Sequence, residues 1–192
     1  MNLKTLGLIV AFLLITRTAF SADERPNFLF IYADDMRWDA MSLVQEEQGE
    51  LARFPWFKTP HLDRLASEGV RFRNAFTATA VCSSSRAEFL TGRYSHFNGV
   101  ANNATHFPVD NATWATGLRA AGYTTAYIGK WHMANQKERP GFDYAASYLS
   151  HGRYQNCVFY VDGEKAETDG WVDDLATDYA IEYLERDQKG PF

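Results

Sequence analysis

The apolar residues of this chain fall in short blocks whose spacing changes from one to the next. The first block runs from Leu6 to Ile15 behind Lys4, and small residues follow it up to Ala19, Phe20 and Ser21. That pattern predicts a secretory signal peptide over residues 1–21 with cleavage before Ala22. The run is too short to cross a bilayer as a stable helix, which disfavours the alternative of an uncleaved membrane anchor. The next block, Asn27 to Ala33 (NFLFIYA), lies between Pro26 and the pair Asp34–Asp35. It predicts a buried strand of a parallel sheet.

Further on, the period lengthens. Thr59 and Pro60 open a pattern through Leu62, Leu65 and Ala66 that closes at Gly69, the start and stop signals of a helix. Val70 to Ala80 alternates, with Phe72 and Phe76 among polar residues, and reads as a strand. Ser85 and Glu88 have capping-box spacing, and Phe89, Leu90 and Gly92 complete a short helix, so Cys82 is expected at or just ahead of a helix start. A helix is expected from about Ala112 to Ala121, then a strand from Tyr123 to Gly129 (YTTAYIG), and a last helix from Asp173 to Arg186. Residues 135–170 are Gly-rich and aromatic with weak periodicity, which predicts long loops or a small surface hairpin. Alternating strands and helices indicate an α/β class with a mostly parallel sheet flanked by helices. Neither an internal repeat nor a low-complexity tract interrupts it.

Charge narrows the choice of partners. The formal net charge is −5, and loss of Lys4 and Arg17 with the leader takes it to −7. Such a chain lacks the clustered Lys and Arg that nucleic-acid binding requires. Beyond the leader remain about 170 residues, enough for one domain with its own core. The chain stops at Lys189, Gly190, Pro191 and Phe192, directly after the last helix and without a closing element, and the ending reads as a cut. Two cysteines, Cys82 and Cys157, in an exported protein would by default form one disulfide. The residues around Cys82 offer a better account of it, which leaves Cys157 as an ordinary half-buried residue.

Polar groups collect where the predicted strands end, the place where parallel α/β sheets gather ligands. Asp34 and Asp35 follow the first strand, Cys82 to Arg86 the second, and Lys130, Trp131 and His132 the third. Two adjacent carboxylates suit a hard cation such as Ca²⁺ but cannot fill its shell of about six to eight oxygens, and a solvated turn would look the same. A cysteine near a helix N-terminus with an arginine one turn on favours negative charge or an activated nucleophile. Lys130 and His132 add a cation and a proton-transfer group, although a Lys-x-His pair is more often surface decoration. The sum is an anion-binding, metal-assisted hydrolytic site with Cys82 at its centre.

The string Cys82, Ser83, Ser84, Ser85, Arg86, Ala87, Glu88, Phe89, Leu90, Thr91, Gly92, Arg93 resembles the sulfatase signature C-x-P/A-S-R-x-x-x-L-T-G-R/K. PNFLFIYADDMRWD (26–39), TPHLDRLASEG (59–69) and GYTTAYIGKWH (122–132) resemble the same family in the same order. The resemblance implies an alkaline-phosphatase-like fold and oxidation of Cys82 by a formylglycine-generating enzyme. One hydroxyl of the resulting aldehyde hydrate attacks a sulfate ester, and the second expels the sulfate. It further implies Asp34, Asp35 and the residue at Cys82 as calcium ligands, Arg86 orienting the formylglycine, Lys130 on a sulfate oxygen and His132 as the base in sulfate release. His61, His96, His106 and His151 receive structural roles, His61 in a core or helix cap.

Two positions depart from the family pattern: Ser84 stands where Pro or Ala is usual, and Ala134 where a glycine is expected. The family also takes further calcium and sulfate ligands from a region corresponding to residues after Phe192, so the chain as it stands is expected not to turn over. The stretch from His151 to Glu185 resembles sulfatases of sulfated sugars, the glucosamine-6-sulfatase type among them. It implies a sulfated carbohydrate, or an aryl sulfate, as substrate for a periplasmic or secreted enzyme free of the membrane once its leader is removed. Three rivals remain. One is a phosphonate or phosphate monoester hydrolase of the same superfamily, and another is a metal- or glycan-binding remnant with unoxidised Cys82. The third, a cysteine hydrolase pairing Cys82 with His132, leaves Asp34 and Asp35 without a role.

Overall fold

The computed structural model describes residues 25–192, so the leader expected over residues 1–21 lies outside the described residues. The elements run in the order α1 (Ser42–Gln48), a 3-10 turn (Gly49–Leu51), α2 (Pro60–Glu68), α3 (Cys82–Thr91), α4 (Ser95–Asn98), α5 (Trp114–Ala120), β1 (Ala126–Lys130), β2 (Tyr144–Tyr148), β3 (Phe159–Val161), β4 (Glu164–Ala166) and α6 (Val172–Leu184). The class is α/β, as expected. Among the described residues no helix is long and apolar enough to cross a membrane.

The sheet is mixed rather than mostly parallel. Its order is β1-β2-β3-β4: β1 and β2 pair in parallel from Ala126↔Tyr144 to Lys130↔Tyr148, whereas β2–β3 and β3–β4 are antiparallel. The hairpin between β3 and β4 turns on Asp162 and Gly163, both at positive φ, as a tight primed turn requires. A hairpin was thus rightly expected within 135–170, but β2 was not, and β2 is interior rather than surface. Tyr144, Ala146, Ser147 and Tyr148 are buried, and α6 packs on β1 and β2. Small residues on β2 allow that approach and suppress the apolar run that would have marked a strand. Gly152 sits so close to the Tyr148 ring that a Cβ there would lie 2.5 Å from Cδ2. Only glycine fits.

Two expected strands are not strands. The Asn27–Ala33 segment is exposed rather than buried: Phe28, Phe30 and Tyr32 rest one side of their rings on Tyr123, Trp114 and Phe89, and Leu29 and Ile31 are the most open. The alternation is that of a strand, but among the described residues no strand pairs with it. Phe28 N donates to Phe192 O (2.7 Å), and Phe192 N donates to Asn27 Oδ1 (3.0 Å). In the Val70–Ala80 stretch, Arg71 and Arg73 are held by Glu47 of α1, and Phe72 and Phe76 face solvent.

The helices begin and end largely where capping chemistry places them. Thr59 and Gly69 bracket α2, and Thr113 caps α5 reciprocally with Thr116. Gly92 ends α3 in the left-handed region. Ser85 and Glu88 do not form a capping box, because α3 already starts at Cys82. Glu88 instead accepts from the backbone and hydroxyl groups of Thr79 and Ser95. Behind α3 lies a core of Ala87, Leu90, Val100, Phe107, Trp131 and Met133, and two further clusters join the sheet to α6. This core locks α3 against the chain that leaves β1. Those are the two segments that carry the candidate chemistry.

Candidate active site

Cys82 is the first residue of α3, preceded by Val81 in extended conformation. Its side chain therefore stands at the positive end of the helix dipole, where the Ser83 N–H already donates to Asn103 Oδ1 (3.1 Å). Arg86, one turn on, is buried and reaches two elements at once. Its Nη1 donates to the Lys130 carbonyl (2.7 Å) at the end of β1, and its Nη2 to Asp34 Oδ1 (3.1 Å). Burial opposes the charge on Arg86, but the neighbouring Tyr127 and Asp34 outweigh it and the guanidinium is held more firmly protonated than usual.

Asp34 and Asp35 follow the apolar run, and Asp35 has φ of +52°. That left-handed turn, tolerated by Asp better than by most residues, brings two consecutive carboxylates to one side. Ligand atoms of Asp34, Asp35 and Cys82 all lie within 4.8 Å of one another. Lys130 Nζ is 2.5 Å from Asp34 Oδ2 and 3.7 Å from Cys82 Sγ. Burial would raise the Asp34 pKa, but the Lys130 hydrogen bond and the charges of Arg86 and Lys130 carry it below the usual carboxylate range.

His132 completes the cluster behind Lys130. It is 6 % exposed, has φ of +52°, and its Nδ1 is buried without a partner among the described residues. Ser83 Oγ donates to its carbonyl, fastening the α3 start to this turn. Burial first, then the charges of Lys130, His151 and Arg86, push the His132 pKa down to about 4. The imidazole is neutral at pH 7, and burial makes it a weaker base than an ordinary histidine. His151 stacks on it at 5.0 Å between ring centroids.

The structure thus gathers Asp34, Asp35, Cys82, Arg86, Lys130 and His132 at one place. It adds Tyr32 and Tyr127, which sequence reasoning did not single out, and His151, for which only a structural role was expected. Tyr32 bonds Ser85 Oγ (2.5 Å), Tyr127 donates to the Lys130 carbonyl (2.5 Å), and His151 stacks on His132. Tyr127 stands three residues before Lys130, the only local hint; nothing in the chain marks His151. His61 is exposed, which excludes the core role expected for it. Cys157 is 2 % exposed rather than half-buried, and both cysteines are free.

The donor set suits a hard cation in part. Two carboxylates supply the oxygens that Ca²⁺ prefers, whereas a thiol at position 82 is a poor calcium ligand and an oxygen in its place would be a good one. Three ligand atoms are also fewer than the six to eight such an ion takes.

A sulfatase family profile matches residues 26–192. This chain belongs to the sulfatase family. The chain is 39% identical over 173 residues to the N-acetylglucosamine-6-O-sulfatase of Bacteroides thetaiotaomicron, covering 88% of this chain and 29% of that protein. It is 32% identical to the ulvan-active sulfatase of Formosa agariphila, over 88% of this chain and 34% of that one. A solved structure described as a complex with its substrate D-glucosamine-2-N,6-O-disulfate superposes with a TM-score of 0.77 at 40% identity, over 88% of this chain and 33% of that one. The chain therefore spans about a third of the length of these curated relatives.

Proposed function

We propose that this chain supplies the nucleophile-bearing half of a site that hydrolyses sulfate esters on a sulfated carbohydrate, in the periplasm or outside the cell. The observation that carries the reading is the convergence on Cys82: a helix N-terminus, two carboxylates within 4.8 Å and the Lys130 ammonium at 3.7 Å. These are the groups needed around a nucleophile that must meet a tetrahedral anion. The similarity to an N-acetylglucosamine-6-O-sulfatase supports a sugar sulfate as the substrate class.

In this reading Cys82 is oxidised to formylglycine, whose hydrate supplies a hydroxyl nucleophile and a second hydroxyl that later releases the sulfate. Asp34 and Asp35 would hold Ca²⁺, which supplies positive charge against the sulfate oxygens. The remaining work falls to side chains of this chain. Arg86 fixes the start of α3 against Asp34 and the end of β1, so position 82 does not drift. Lys130 shares its ammonium between Asp34 and the space beside Cys82, where it neutralises a sulfate oxygen. His132 would accept the proton lost when sulfate departs, the negative charge of the bound sulfate offsetting the burial and the cations that weaken the ring as a base. Asp34, Asp35 and position 82 supply three ligand atoms, so a calcium shell of six to eight needs further oxygens.

Mass spectrometry of the Cys82 peptide tests the reading, on protein made together with a formylglycine-generating enzyme. Conversion of the thiol to an aldehyde or its hydrate is expected. A thiol left intact where other sulfatases are converted would refute the catalytic role.

A further inference from the structure

The charged side chains of the candidate site balance one another, with Asp34 and Asp35 set against Arg86 and Lys130. The balance is unevenly placed. Arg86 Nη2 donates to Oδ1 of Asp34 (3.1 Å) and Lys130 Nζ to Oδ2 (2.5 Å), so both oxygens of one carboxylate hold a cation. Asp35 is exposed and makes no ion pair among the described residues.

The two cations differ in how they are tied. Arg86 also donates from Nη1 to the Lys130 carbonyl (2.7 Å), and its planar fork fixes it between α3 and the end of β1. The Lys130 ammonium ends a flexible stem and lies 3.7 Å from Cys82 Sγ, so a small rotation offers it a second position. A cation bound to Oδ2 of Asp34 would stand no farther than about 5 Å from Nζ, the sum of the two bond lengths. In a buried setting, like charges that close repel strongly. Lys130 and such a cation therefore compete for one oxygen, whereas Lys130 and an anion at position 82 attract each other.

We propose that Lys130 is an exchangeable counter-ion: it neutralises Asp34 until a divalent cation takes that carboxylate, and then turns its ammonium to the tetrahedral anion at position 82. The exchange makes the two ligands bind cooperatively, because both favour the same lysine position. Charge acts in the same direction. A divalent cation alone leaves the cluster with an excess of positive charge, and the anion restores the balance.

The inference rests on the sulfate-ester reading of Cys82 and can fail without it. Protein converted at position 82 is titrated by calorimetry with Ca²⁺, alone and in saturating inorganic sulfate, as wild type and as Lys130→Met, which keeps an apolar stem. Sulfate is expected to tighten Ca²⁺ binding about tenfold in the wild type. Without sulfate, where the lysine competes, Lys130→Met should tighten Ca²⁺ about tenfold. In saturating sulfate, where the ammonium has already left Asp34, the substitution should change it by less than about twofold. A gain of equal size in both conditions means that the ammonium does not move and overturns the proposal, as does no gain in either. The wild type gives a second reading that needs no variant. In nitrogen-15 NMR the Lys130 ammonium protons, held in the ion pair, should exchange with water faster once Ca²⁺ is bound and slow again when sulfate is added. Exchange that bound Ca²⁺ leaves unchanged overturns the proposal while the sulfate-ester reading stands. Failure of the wild type to bind Ca²⁺, or to bind sulfate, brings down both.

Discussion

Ala134 has φ of +49°, where the Cβ of an L-residue crowds the backbone at a cost of roughly 1 kcal/mol. The family resemblance places glycine there, and the backbone explains why glycine suits the position. Ala134→Gly is expected to raise stability by about 1 kcal/mol, read as a higher urea midpoint with an unchanged slope. A fall would mean that the methyl group contributes packing worth more than the strain. Ser84, the other departure, is fully buried, and its hydroxyl has no partner among the described residues. A buried hydroxyl without a partner costs about 1 kcal/mol or more. Ser84→Ala, one of the residues the family uses here, should therefore stabilise by about 1 kcal/mol in the same assay.

Between elements, Arg86 is the side chain that joins α3, the end of β1 and the Asp34 turn. Replacing it by Leu would leave the Lys130 carbonyl without this donor and Asp34 with one cation instead of two. A loss of about 3 kcal/mol is expected, seen as a lower thermal midpoint, and Arg86→Lys should recover little because a point charge cannot reach both acceptors. The start of α2 at Thr59–Pro60 and the last helix were legible in the sequence because caps and the 3.6-residue period are local properties, whereas Cys82 stands at a helix start although the Ser85–Glu88 box that suggested it does not form. Two strands were wrongly expected for the complementary reason. The composition of Asn27–Ala33 reports what the segment could bury, but a ladder depends on which other segment lies alongside. For β2 the error runs the other way. Its Ala145, Ala146 and Ser147 look featureless until α6 is packed on them. His151 reaches His132 only through the tertiary fold, so no spacing rule could find it.

At the scale of the whole molecule, the buried His132 ties stability to pH. Its folded pKa is about 4 against an ordinary 6.5, so between those values the unfolded chain binds a proton that the folded chain does not. Stability from this group is complete above pH 6.5 and declines as pH falls towards 4, by about 3 kcal/mol in all. The carboxylates with lowered pKa values, Asp34, Asp39, Asp63 and Glu88, act in the same direction. They start from ordinary values of 3.8 and 4.5, so their losses begin where that of His132 is nearly finished. The interval from pH 6.5 to 4.5 therefore isolates the histidine. Urea unfolding at pH 7 and at pH 4.5 should show a drop that His132→Gln largely removes, because an amide carries no proton to exchange. Proton NMR of the His132 ring should show it still neutral at pH 5. A ring that titrates near 6.5 would mean that water reaches it, and the pH dependence assigned to its burial would then be absent.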